Sequence, residues 1–183
     1  MSARHRKKQP MLWLMTDERV PDAALLATAA RLPKGAAGIV FRHHATPVAQ
    51  RRALFDALRR IALGRRLILL LGGTARQAAA WRADGVHGRD RRRAARPLLR
   101  SAPVHDVREA VAARGVDLCF VSPLFPTRSH PGRSTLGRVG FAMIASRIDR
   151  PVIALGGMKA THRYMLGGIG ADGWAAIDGL TGY

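Results

Sequence analysis

The chain has 183 residues, 48% of them apolar, with 31 basic and 12 acidic side chains and a formal charge of +19. That length suits one domain with a real core, and the apolar fraction excludes a disordered polyelectrolyte. The single cysteine, Cys119, excludes an internal disulfide and a multi-cysteine zinc site, and no apolar run approaches the roughly 20 residues of a membrane helix.

Residues 1–10 read as a basic tail ahead of one domain over 11–183. The tail has no apolar stretch behind its charges to make a secretory signal, so a reducing, cytoplasmic setting is expected. A regular rhythm follows. Met11–Met15 reads as a strand that ends at Thr16-Asp17, and Pro21–Arg31 suits a helix. Ala37–Phe41 is a second strand run, ending in Arg42-His43-His44. Over Pro47–Leu63 the apolar residues Ala53, Leu54, Ala57, Leu58 and Ile61 form one helical stripe. Arg51, Arg52, Arg59 and Arg60 lie off that stripe, and Gly64 reads as the cap. Leu67–Leu71 is a third strand, stopped by Gly72-Gly73. Ala75–Ala83 is a short helix, and Gly85–His87 a brief fourth strand.

The stretch from Gly88 to Ser101 is weakly patterned, with a fifth strand placed near Leu98–Ser101. Val107–Arg114 reads as a helix and Asp117–Val121 as a strand. Pro123–Arg133 is a proline-rich loop, long enough to expect a functional role. Val139–Ile148 is a helix, Pro151–Leu155 a strand with the Gly156-Gly157 turn after it, Thr161–Leu166 a helix, and Trp174–Ile177 a last strand. Eight strands alternating with helices predict a parallel sheet closed into a (β/α)₈ TIM-type barrel. Little room remains after the last strand for an eighth helix. Either the barrel lacks that cover or another subunit supplies it.

In such a barrel the active site lies at the C-terminal ends of the strands. The residues there are rich in Arg, His, Ser, Thr and Gly and poor in carboxylates, a set suited to phosphate. The bland readings are a solvated His43-His44 pair, a surface ion pair at Asp90, a turn role for Asp84, and packing roles for Trp13, Trp81, Trp174 and Cys119. The net charge admits a third class of function, a basic nucleic-acid-binding module. Against it, the Arg residues are spread along the chain and only 5% of residues are aromatic, so stacking platforms for bases are scarce. Small phosphorylated ligands fit the charge with fewer assumptions, and no membrane partner is expected.

Read in order, LWLMTDE, GAAGIVFRHH, RADGVHGRD, PVHDVREAV, GVDLCFVSPLFPTRSHPG, PVIALGGM and GIGADGWAAID resemble the thiamine phosphate synthase/TenI family from residue 11 to about 180. The resemblance implies a (β/α)₈ barrel and a transferase of thiamine biosynthesis. That enzyme joins a pyrimidine pyrophosphate to a thiazole phosphate, giving thiamine phosphate and pyrophosphate, with Mg²⁺ on the leaving group. It implies Arg42 and His130 as partners of pyrophosphate, and Asp90 as a metal ligand. Thr127, Ser129, Gly156 and Gly157 would bind phosphate, and Ser101 enters the substrate-binding set through one alignment of its segment.

This chain departs from the pattern at several places. His43 and His44 replace an acidic residue and a lysine, and His130 replaces a lysine. Gly72-Gly73 replaces the Asn-Asp of the metal site. Asp178 replaces a serine, where a carboxylate would repel phosphate. His105 resembles the histidine that serves as acid/base in TenI-type thiazole tautomerases, which implies an alternative activity that needs no Mg²⁺.

Overall fold

The computed structural model describes residues 11–90, 92–128, 132 and 134–182. Eight parallel strands close into one barrel in sequence order: β1 (Leu12–Met15), β2 (Ala37–Phe41), β3 (Ile68–Gly72), β4 (Gly85–His87), β5 (Leu99–Val104), β6 (Leu118–Val121), β7 (Val152–Ala154) and β8 (Gly173–Ala176). β8 pairs with β1 through Leu12–Trp174, Trp13–Ala175 and Leu14–Ala176, so no sheet edge is left open. The strands are apolar on both faces because one face fills the barrel and the other meets the helices. Inside, the Trp13 ring lies over Gly38, where a Cβ would come within 2.3 Å of it, and meets Phe120 edge-on at 5.4 Å.

The outer layer is uneven. Helices α1 (Asp22–Arg31), α2 (Val48–Arg65), α3 (Ala75–Ala80), α4 (Val107–Ala112) and α5 (Gly137–Ala145) follow β1, β2, β3, β5 and β6. No described residue between β4 and β5 is helical, and β7 is followed by two 3₁₀ turns, Ala160–Met165 and Gly167–Ile169. Within the described chain only the four-residue α6 (Asp178–Thr181) follows β8. α2 runs past Gly64 and ends at Arg66, whose left-handed φ of 55° terminates it. β5 extends three residues beyond the expected Ser101, which moves Ser101 from the rim into the barrel. No described helix is long and apolar enough to cross a membrane.

Candidate active site

Met15, Arg42, His87, Pro103, His105, Phe120, Ser122, Thr127, Leu155, Gly156 and Ile177 line a cavity of about 100 Å³ at the C-terminal mouth. A larger cavity of about 600 Å³ adjoins it and shares Thr127, Leu155, Gly156 and Ile177. Arg128, Gly157, Lys159 and Asp178 complete its wall. Arg42, Thr127, Gly156 and Gly157, drawn from three different loops, therefore stand around one continuous opening.

The β6–β8 side is built from backbone. Gly156 and Gly157 have φ of 98° and 61°, which L side chains rarely adopt. A Cβ on Gly156 would lie 2.7 Å from Pro123 Cα, and one on Gly157 would lie 2.4 Å from the Pro126 carbonyl oxygen. The turn after β7 thus packs directly on the proline-rich loop, which brings Thr127 beside it. The N–H groups of Gly156, Gly157 and Met158 donate to no described residue, so they can receive an anion. Asp178 does not leave a bare negative charge here: Arg19 and Arg128 approach its two oxygens at 3.4 and 3.2 Å. The repulsion expected from the sequence is balanced by arginines from two other loops.

The β1–β2 side fixes Arg42. Its Nε donates to the Thr16 carbonyl at 2.8 Å and its Nη2 to Asp17 at 3.2 Å. Burial pushes the Asp17 carboxyl up. Hydrogen bonds from the Arg19 backbone and side chain, and the charges of Arg19 and Arg42, outweigh that and hold it below its ordinary range. Behind Arg42 lies Arg51, only 6% exposed, which the helical stripe had placed among solvated residues. Its Nη2 donates to the carbonyls of Arg42 at 2.8 Å and Gly72 at 2.6 Å, tying the tips of β2 and β3 together. Its guanidinium lies over Phe41 and Trp81.

The two adjacent histidines part company. His43 is 2% exposed, stacks on Phe41 and reaches Thr16 Oγ1 at 3.0 Å, so it is a packing residue rather than a solvated one. His44 is exposed and lies against Gly72.

His87 and Ser101 face each other inside the barrel, Nδ1 to Oγ at 2.9 Å. Burial first, then the charges of Arg42, His44 and His105, lower the His87 pKa to about 3. Its imidazole is therefore neutral at pH 7. Ser101 is 1% exposed and lines neither of these two cavities. His105 lines the cavity, and its main-chain N–H and Nδ1 both meet Glu109 Oε2 at 2.8 Å. Arg89 holds the other Glu109 oxygen. The sequence reading gave no site role to Arg51 or Glu109. The His-x₃-Glu spacing across the Asp106 cap was the signal available for Glu109, whereas Arg51 carried none.

Asp90 meets no other ligand. Its Oδ2 accepts from Ala75 N at 2.8 Å and its Oδ1 from Arg92 N at 3.0 Å, so it caps α3 from the β4 loop. Those two bonds lower its pKa. Among the described residues no three His, Cys, Asp or Glu side chains gather as a metal site, and Gly72-Gly73 offers no donor side chain. The residues present do not fit the Mg²⁺ that the sequence pattern implied. Ser129 and His130 lie outside the described residues. Cys119 is buried, and that burial pushes its thiol up to about 11, in keeping with a packing role.

Comparison with known proteins agrees with this architecture. The family model for thiamine monophosphate synthase matches residues 12–180. A thiamine-phosphate synthase of Methanoculleus marisnigri is 30% identical, with 93% of this chain and 87% of that protein covered. A thiamine biosynthesis bifunctional protein of Geobacter sulfurreducens is 28% identical over 92% of this chain, which spans only 36% of that longer protein. The solved thiamine phosphate pyrophosphorylase of Pyrococcus furiosus has the same fold, with a TM-score of 0.78, 24% identity, and coverage of 97% of this chain and 90% of that one. The chain is an enzyme that belongs to the thiamine monophosphate synthase family of thiamine biosynthesis.

Proposed function

We propose that the chain is a thiamine phosphate synthase-type transferase, joining a pyrimidine pyrophosphate to a thiazole phosphate. The observation that carries this reading is the placement of Arg42, Thr127 and Gly156 around one cavity, with Gly157 just beyond. The thiazole phosphate rests in the β6–β8 cradle, on the N–H groups of the Gly-Gly turn and the Thr127 hydroxyl. Ser129 and His130 join them in this reading. The pyrimidine occupies the mouth. Its C–O bond to pyrophosphate breaks with the electron pair leaving on oxygen, and the thiazole nitrogen lone pair forms the new C–N bond. No proton needs to move.

Two features of the site favour that path. Arg42 is held rigid by Thr16 and Asp17, so it meets the departing charge without reorganising. His87 stays neutral against the Phe120 ring, so the floor of the mouth places no positive charge beneath a developing carbocation.

One observation favours a second reading. The His105–Glu109 pair presents an oriented imidazole to the same cavity, and the mouth lacks the carboxylates of a metal site. A TenI-like tautomerase would use His105 to move a proton on a thiazole carboxylate phosphate. The purified chain, given both substrate sets, separates the two. For the transferase, thiamine phosphate forms, Arg42→Ala lowers its rate by about 100-fold or more, and His105→Ala costs less than about fivefold. For the tautomerase, thiamine phosphate does not form and His105→Ala is the damaging change. Equal indifference to both variants overturns both readings, and rescue of a thiamine auxotroph lacking the synthase checks the first in the cell.

A further inference from the structure

The β2–β4 side of the mouth differs chemically from what a metal-assisted leaving group requires. We propose that this side binds a diphosphate group on protein hydrogen-bond donors alone, with His44 and Arg42 taking the place of a divalent metal. The proposal rests on the transferase reading for its biological meaning, but not for its geometry.

Three independent features carry it. First, the β3 tip carries no ligating side chain. A Cβ at Gly72 would stand 3.3 Å from both Cε1 and Nε2 of His44, so the imidazole packs directly over the glycine. Gly73 has φ of 156°, and its Cβ would lie 2.6 Å from Gln77 Oε1.

Second, the rim carboxylates are already engaged. Asp90 caps α3 with one oxygen and accepts from Arg92 N with the other. Asp17 pairs with Arg19 and Arg42, and Asp178 with Arg19 and Arg128. Glu18 accepts from Ala45 N, Thr46 N and Thr46 Oγ1 at 2.8–2.9 Å. Glu109 is shared by His105 and Arg89. A divalent cation would have to break one of these pairings to gain a single ligand.

Third, the same rim gathers two guanidinium charges and an imidazole donor. Arg42 lines the mouth, His44 is exposed beside it, and Arg51 sits behind both with its charge against the Arg42 and Gly72 carbonyls. Guanidinium and imidazole N–H groups can bind the oxygens of a diphosphate directly.

The test uses inorganic pyrophosphate on the full chain, by calorimetry, in buffer stripped of metal with EDTA and again with excess Mg²⁺. The expected result is saturable binding without metal and an affinity within about threefold in the two buffers, against a gain of many tenfolds where a metal bridges. His44→Ala is expected to weaken binding by about tenfold. Arg147→Ala, an exposed change past the C-terminal end of α5, should leave it unchanged.

Binding only with Mg²⁺, no binding at all, or equal weakening by His44→Ala and Arg147→Ala would each overturn the proposal; the last would mark mere attraction to a basic surface. The outcome separates from that of the transferase reading. Thiamine phosphate formed only with Mg²⁺ sinks this proposal and leaves the transferase standing. Metal-free pyrophosphate binding without any thiamine phosphate formed does the reverse.

Discussion

The two halves of the barrel mouth follow different logics. On the β6–β8 half, the parts proposed to bind an anion are backbone N–H groups and a hydroxyl, set by glycines that the packing requires. Asp178, the one carboxylate lining that cradle, is neutralised by arginines from two other loops. On the β2–β4 half, no metal-ligating cluster forms among the described residues, Asp90 is a helix cap, and a buried arginine staples two strand tips. The role proposed for the first half depends on backbone shape. The second has changed side chains whose roles can be exchanged between ion types. Shape is costly to alter because every neighbouring loop is packed on it.

Changes on the backbone half should do the greatest harm. Gly157→Val drives a Cβ into the Pro126 carbonyl and demands a left-handed φ from a β-branched residue. Displacing the turn is expected to cost about 100-fold or more in affinity for a thiazole phosphate, measured by calorimetry. An effect smaller than tenfold would place the anion elsewhere.

The opposite half should show its dependence in stability first. Arg51→Met removes the bonds to the Arg42 and Gly72 carbonyls and leaves them buried, at a cost of about 3 kcal/mol in chemical denaturation. An unchanged midpoint would mean that the staple contributes nothing.

The neutral imidazole between the halves sets a pH signature. His87 has its pKa lowered from 6.5 to about 3, so below pH 6.5 the unfolded chain takes up a proton that the folded chain refuses. Stability should therefore fall with acidification between pH 6.5 and 3, by up to about 1.4 kcal/mol per pH unit from this group. His87→Gln should flatten that part of the curve. The smallest effect belongs to the balanced carboxylate. Asp178→Asn should change the KM for a thiazole phosphate by less than about threefold, because Arg19 and Arg128 already cancel its charge.

The barrel was readable because LWLM, AGIVF, ILLLG, LCFV and VIA are short apolar runs, each ending in polar residues or glycine, with helical stripes between several of them. β5 was read short because Arg100, Ser101 and Pro103 break such a run. Ser101 is polar and yet buried, since it faces His87 across the barrel interior.

The Gly-Gly turn and Thr127, to which phosphate binding is assigned as a proposal, could be picked out from single loops because their geometry is local. The other half could not. That Arg51 is buried depends on two carbonyls that only β2–β3 pairing brings together. That His44 covers Gly72 is a contact between residues 28 positions apart, whose identities alone give no hint of it. Asp178 read in isolation is a repulsive charge, and its two partners come from the β1 and β6 loops.

The account stands on the claim that phosphate is held at the mouth by the Gly156-Gly157 turn and Thr127. A crystal structure of the chain with a thiazole phosphate tests it most directly. The account predicts a phosphate whose oxygens accept hydrogen bonds from the Gly157 N–H and the Thr127 hydroxyl, with the ring extending toward Arg42. A phosphate bound on the outer arginine-rich surface, with the mouth holding no ligand, would contradict it.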